Sequence, residues 1–244
     1  MPAFSVPRLV RPIVLPVIFL LLAASRPAAP IAQPGRLDVG SFTLVINGQR
    51  AGREQFSVQR VQSPDGGTLE VRSESAIGDR RVAMRLETDS AGTPVRYSVE
   101  ARQGADVTLR LGGQRVRGRF ATLARSSTGE AAREYLLRPG AVVLEDDGVV
   151  QYALLVYNRA LAVDSGVTLP SLTPTANGQG AVRVVLETAS DTITLAGGRR
   201  EARRWRVVVG DGDRRLVWTD ADGRLLRLSI PARRLEAIRD DVPR

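Results

Sequence analysis

The chain of 244 residues contains no cysteine, no histidine and no lysine, and aromatic residues make up only 5% of it. Each absence closes off chemistry. Without cysteine there is neither a disulfide nor a thiolate nucleophile, so stability has to come from a conventional hydrophobic core. Without histidine there is no imidazole base, no Ser-His-Asp triad and none of the commonest transition-metal ligand. Without lysine there is no Schiff base and no Walker A phosphate clamp. What survives is carboxylate chemistry, either the paired acid and base of glycosidases or the shared-proton dyad of aspartic proteases. No metal and no cofactor is expected. All 35 basic residues are arginine, set against 26 acids, for a formal charge of +9. A mixed-charge solvated surface with a codon-biased basic residue accounts for this, and so does an anionic partner such as a membrane surface.

The N-terminus indicates export. Arg8 and Arg11 precede an apolar run from Ile13 to Ala24, and Ala23-Ala24-Ser25 places small residues where signal peptidase cuts, so residues 1–25 are expected to be a signal peptide. The run is shorter than the roughly 20 residues that span a bilayer core. Residues 26–36 are rich in Pro and Ala and read as a tether, leaving 37–240 as a single β-rich domain in a periplasmic or extracellular setting.

Short alternating segments with turn signals between them argue for antiparallel sheet. Phe42, Leu44 and Ile46 alternate with Ser41, Thr43 and Val45 and run into Asn47-Gly48, the preferred pair for a type I′ hairpin. Arg81–Glu87, Val95–Ala101, Val107–Leu111 and Arg115–Phe120 follow, with Gly112-Gly113 expected as a turn. From Val149 to Ala162 apolar residues recur at three- and four-residue steps, which predicts one helix capped by Asp146 or Asp147. The Pro-punctuated stretch Val167–Gly180 reads as a long connection. Sheet resumes over Ala181–Thr188, Asp191–Leu195, Arg203–Val209, Arg214–Thr219 and Arg224–Ile230, the last with Leu226, Leu228 and Ile230 inward. Leu235–Arg239 is either a short helix or an edge strand. The fold expected is mainly β, one strongly curved antiparallel half-barrel around a central helix, with a two-sheet sandwich as the alternative.

Three motifs could carry chemistry. Leu161-Ala162-Val163-Asp164-Ser165-Gly166 resembles the catalytic loop of retroviral-type aspartic proteases, but it follows a helical segment and has no second copy, so a turn capped by Gly166 explains it more simply. Asp211-Gly212-Asp213 and Asp220-Ala221-Asp222-Gly223 could bind calcium, yet both lack the downstream Glu of an EF-hand loop and read as hairpin turns. No nucleic-acid partner is expected, because Phe120 and Trp205 alternate away from their neighbouring arginines and cannot form a stacking platform with them.

From Tyr152 onward the order of features is similar to a family of uncharacterised exported bacterial β proteins: an aromatic-bearing helix, Leu169-Pro170-Ser171-Leu172, paired strands, Gly197-Gly198-Arg199-Arg200, then Leu216-Val217-Trp218-Thr219-Asp220-Ala221-Asp222-Gly223-Arg224-Leu225-Leu226-Arg227 ending in Ile230-Pro231. That family in turn resembles the half-barrel superfamily of lipoprotein carriers and their outer-membrane receptors, the LolA and LolB type. The resemblance implies a curved sheet with a concave apolar surface covered by helix, a lipid or lipoprotein partner, and no catalytic residue. On that reading Phe42, Leu44, Met84, Leu86, Tyr97, Val99, Phe120, Trp205 and Trp218 form a ligand-binding concave face. Two functions compete: an envelope protein holding an apolar ligand, and a structural or interaction module with a filled core. A hydrolase using Asp164 is the distant third.

Overall fold

A computed structural model of the chain describes residues 35–63, 66–156 and 163–243. The expected signal peptide lies outside the described residues, as does the tether up to residue 34. The strands in chain order are β1 (Gly35–Ile46), β2 (Gln49–Ser63), β3 (Gly66–Ile77), β4 (Arg80–Thr88), β5 (Pro94–Gln103), β6 (Asp106–Val116), β7 (Arg119–Ser126), β8 (Gly129–Leu136) and β9 (Val142–Val143). A short helix α1 (Gln151–Val156) separates these from β10 (Gly166–Thr173), β11 (Gly178–Leu195), β12 (Gly198–Val209), β13 (Asp213–Thr219), β14 (Leu225–Ile230) and β15 (Leu235–Arg239).

All fifteen belong to one sheet, ordered β8-β7-β6-β5-β4-β3-β2-β1-β15-β14-β13-β12-β11-β10-β9. Hairpins lay β2 to β8 and β11 to β15 each beside its predecessor, and pairing of β1 with β15, Phe42 opposite Arg239, welds the two halves together. Leu235–Arg239 is thus a strand inside the sheet, paired on both sides. Only β9 with β10 is parallel. The sheet is curved and unclosed, its ends being β8 and β9, and the two-sheet sandwich does not form. No helix among the described residues is long and apolar enough to cross a membrane.

Alternation decides which face is filled. On β4 Val82, Met84 and Leu86 are buried while Arg81, Ala83 and Arg85 are exposed, as period-2 geometry requires. The inward rows of the strands pack with Val149, Val150, Tyr152, Leu155 and Val156 into one continuous core. Removing that apolar surface from water does most to hold the curved sheet together.

Several local expectations differ from the structure. The helix spans Gln151–Val156 rather than Val149–Ala162, and residues 157–162 lie outside the described set. The supposed connection Val167–Gly180 is strand β10, a 3-10 turn at Pro174–Ala176 and the start of β11. Pro170 is tolerated in β10 because only two residues of β9 pair along its outer side. Gly112-Gly113 lies within β6, and the chain turns instead at Arg117 and Gly118, both at positive φ. Gly113 has a steric reason: a Cβ there would stand 2.6 Å from Cε1 of Phe120 and 2.9 Å from Cγ2 of Thr122. Gly113→Ala is accordingly expected to cost about 1–3 kcal/mol by overpacking. Denaturant melts would show it, and an unchanged midpoint would mean that the Phe120 ring yields freely.

Candidate functional site

The interior is occupied by the chain itself. Residues 141–156 leave β8, pair briefly as β9 and enter α1, and their apolar side chains sit against the inner wall. Polar ties from three sides hold this plug. Glu54, on β2 and fully buried, lies on the inward parity with Phe56 and Val58. Its carboxylate accepts the backbone N–H of Val149 at 2.9 Å and of Val150 at 2.9 Å. These N–H groups open the helix and have no partner within it. The cap is therefore supplied by a distant strand, not by Asp146 or Asp147. Burial raises the Glu54 carboxyl to about 7, against the lowering effect of Val150, Val149 and the Ser73 hydroxyl.

The acidic residues Glu145, Asp146 and Asp147 are divided among separate partners. Glu145, 4% exposed, accepts from the backbone N–H of Thr175 at 3.0 Å and from its hydroxyl. Gln151 locks the same turn, receiving the Glu145 N–H at 2.8 Å and donating to the Gly148 carbonyl at 2.9 Å. Asp146 pairs with Arg215 at 3.2 Å, and Asp147 pairs with Arg80. Burial raises the Glu145 carboxyl above the usual range, partly offset by Thr175. The buried Tyr97 hydroxyl acts on Glu145 electrostatically without closing a hydrogen bond in this geometry, and burial together with Glu145 holds its own ionisation well above normal.

The third tie is Arg215, whose guanidinium points inward from β13. It donates to the Tyr152 hydroxyl and, at 2.8 Å from Nε, to Asp213. Burial pushes Tyr152 up to about 12 despite the adjacent arginine. Burial also opposes the charge on Arg215, but Tyr152 and Asp213 outweigh it and raise its pKa.

Eight of the nine residues expected on the concave face, Phe42, Leu44, Met84, Leu86, Tyr97, Val99, Phe120 and Trp205, meet in this core, each no more than 6% exposed. Trp218 does not join them. Val217 is the residue opposite Trp205, so Trp218 alternates to the outer face beside Arg204 and Arg227. There it packs with Ile193, Leu195, Ala202 and Leu226 in a second cluster. Its indole N–H donates to Asp191 at 2.9 Å and Arg227 lies 5.0 Å above its ring. Leu226 is also outward, contrary to expectation, because a bulge pairs Trp218 with Arg227 and Thr219 with Leu225, leaving Leu226 as the extra residue.

One opening on the inner side is a cleft of about 270 Å³ between β3–β6 and the plug, lined by Ser73, Arg80, Val82, Met84, Val99, Ala101, Leu109, Glu145, Asp147, Gly148, Gln151 and Thr175. The other motifs are consumed by structure. Asp164 is an exposed turn residue at φ 62°, its N–H donating to Leu186 O at 2.8 Å, and its carboxylate has no partner among the described residues. Asp164 thus takes the left-handed conformation, and Gly166 opens β10 rather than capping a helix. Asp220 closes its own turn by accepting from the N–H of Asp222 and Arg224, at 3.0 and 2.8 Å. No group of three or more acidic residues among the described residues is arranged to hold a metal ion. Many outer arginines are paired, Glu187 meeting Arg204, Arg206 and Arg214 across strands, and Glu100 meeting Arg102 on its own strand and Arg110 on the next.

Sequence reasoning missed Glu54, Arg215 and Arg239, three charges whose side chains turn inward. A signal existed for Glu54: it is the lone acid on the inward parity of Gly52, Glu54, Phe56 and Val58.

No protein-family model and no curated protein matches the chain. Among solved structures it is similar to a beta-barrel-like protein, a domain of unknown function (DUF1849) from Brucella abortus, at 11% identity and a TM-score of 0.54, over 86% of this chain and 95% of that one. A DUF1089 family protein from Pseudomonas aeruginosa matches at 11% identity and a TM-score of 0.44, over 71% of this chain and 87% of that one. At this identity the first likeness shows the fold, a beta-barrel-like sheet.

Proposed function

We propose that this chain is a non-catalytic interaction module of an exported compartment, its curved sheet a filled scaffold and not a carrier of long-chain apolar cargo. The observation that carries this reading is the plug: residues 141–156 cover the wall that an acyl chain would need, and two clefts beside it, of about 270 and 250 Å³, each fall just below the roughly 300–1,000 Å³ usual for ligand pockets. The lipoprotein-carrier likeness would require that wall to open. Pairing of the outer arginines favours a mixed-charge surface over an anionic membrane partner, and the N-terminal residues 1–25 motivate the exported setting. With Asp164 exposed and unpartnered among the described residues, the hydrolase reading has no dyad to support it.

Val71 tests the filled core. It is fully buried on β3 between Val58 and Leu86, and threonine has nearly its shape. In a filled core Val71→Thr buries a hydroxyl without a hydrated alternative and costs about 1–2 kcal/mol. A wet, lipid-lined wall would leave the hydroxyl hydrated and stability unchanged. The expected result is that loss, together with no saturable binding of a fluorescent long-chain fatty acid by the wild type. Saturable binding with an unchanged melt would replace the scaffold reading by the carrier.

A further inference from the structure

The cleft beside the plug is two-sided. One wall is apolar, from Val82, Met84, Val99, Ala101 and Leu109 on β4, β5 and β6. The other is polar and belongs to residues 145–151 with Thr175. Three charged side chains line the cleft, Arg80 from β4 with Asp147 and Glu145. The first two neutralise each other in an ion pair. Glu145 is different, because its hydrogen-bond partners are the N–H and hydroxyl of Thr175, both neutral, and Asp147 acts against its charge. When ionised, Glu145 thus has no counter-charge among its hydrogen-bond partners at the base of an apolar wall. The Tyr97 hydroxyl, on a side chain 2% exposed, stands by the same carboxylate without a hydrogen bond.

We propose that this cleft binds a small amphipathic monocation, an aryl or short alkyl ammonium whose apolar body lies on the β4–β6 wall and whose charged head meets Glu145. Three features argue for this class. A volume of about 270 Å³ admits a fragment-sized molecule and no long chain. A carboxylate with only neutral partners in a partly desolvated site attracts a cation more strongly than it would in water. An anion would face that same carboxylate and Asp147, with Arg80 already engaged. The inference goes beyond the scaffold reading and does not depend on it, since a filled core and an occupied rim cleft coexist.

Calorimetric titration of the full chain with benzylammonium, and with benzyl alcohol as its neutral isostere, tests it. Benzylammonium is expected to bind saturably and at least tenfold more tightly than the alcohol. Glu145→Gln should erase that preference, and Leu109→Trp, which narrows the cleft from the apolar side, should weaken both probes. Equal binding of the two probes, no saturable binding of the amine by the wild type, or a preference that survives Glu145→Gln would each overturn the proposal. If Glu145→Gln does not fold, the wild-type comparison and Leu109→Trp decide between these outcomes. Failure here leaves the fatty-acid result of the scaffold test untouched, so the two ideas fall separately.

Discussion

Arg239→Met is expected to destabilise the protein by about 3–5 kcal/mol, the cost of stranding one member of a buried ion pair. The Arg239 side chain is fully buried on β15 and its guanidinium binds both oxygens of Asp38, at 2.8 and 2.7 Å, the carbonyl of Val39 at 2.9 Å and that of Leu225 at 3.3 Å. It lies 5.1 Å from the centre of the Phe56 ring and also meets Asp241. One side chain therefore ties β1, β14 and the C-terminal residues at the seam where the two halves of the sheet join. Gly40 leaves room for it, since a Cβ there would stand 2.9 Å from Nη2 of Arg239 and 2.6 Å from Asp241. Methionine restores much of the packing but leaves Asp38 desolvated without its fork. Denaturant melts of Arg239→Met and of Arg239→Met/Asp38→Asn separate the lost packing from the stranded charge. The double variant should lose less than the single, because the uncompensated charge is gone. A single-variant loss below about 1 kcal/mol would show that water reaches this pair.

Glu54 carries the second large effect, and its sign depends on pH. Its folded-state carboxyl is raised to about 7 from an ordinary value of 4.5, so the native protein holds this proton more firmly than the unfolded chain does. The stability it contributes is complete below pH 4.5 and is lost as pH rises through about 7. Between pH 5 and pH 8 linkage gives a loss of about 2.5 kcal/mol from this one group. Glu54→Gln keeps an oxygen for the N–H groups of Val149 and Val150 but does not titrate. The stability of Glu54→Gln minus that of the wild type is therefore expected to rise by about 2.5 kcal/mol from pH 5 to pH 8. Glu145 and the surface acids titrate in both proteins and cancel in the difference. A difference flat with pH would mean that Glu54 ionises normally.

Much of the fold was legible in local pattern. Asn47-Gly48 forms its hairpin with both residues at positive φ, and the alternation of Val82, Met84 and Leu86 selected the face that is buried. Errors followed wherever a local rule had two outcomes. Gly112-Gly113 reads as a turn, but both lie within β6, where Gly113 makes room for the Phe120 ring. Hydrophobicity assigns Trp218 and Leu226 to the inner face, yet alternation from Trp205 through Val217 and the bulge at Thr219 put them outside. The cleft could not be read at all, because its walls come from β4–β6 and from the segment that follows β8, brought together only by packing.

By itself the sequence determined that this is a β protein with a conventional core, devoid of imidazole, thiol and amine chemistry, because composition and a two-residue period act through neighbours along the chain. The tertiary structure alone decided that β1 meets β15, that residues 141–156 fill the curve of the sheet, and which partners meet Glu54, Arg215 and Arg239 inside it. The reason is physical. A buried charge is tolerated only where distant partners supply its hydrogen bonds, and those partners, Val149, Tyr152 and Asp38, become neighbours only once the sheet has curved around the plug.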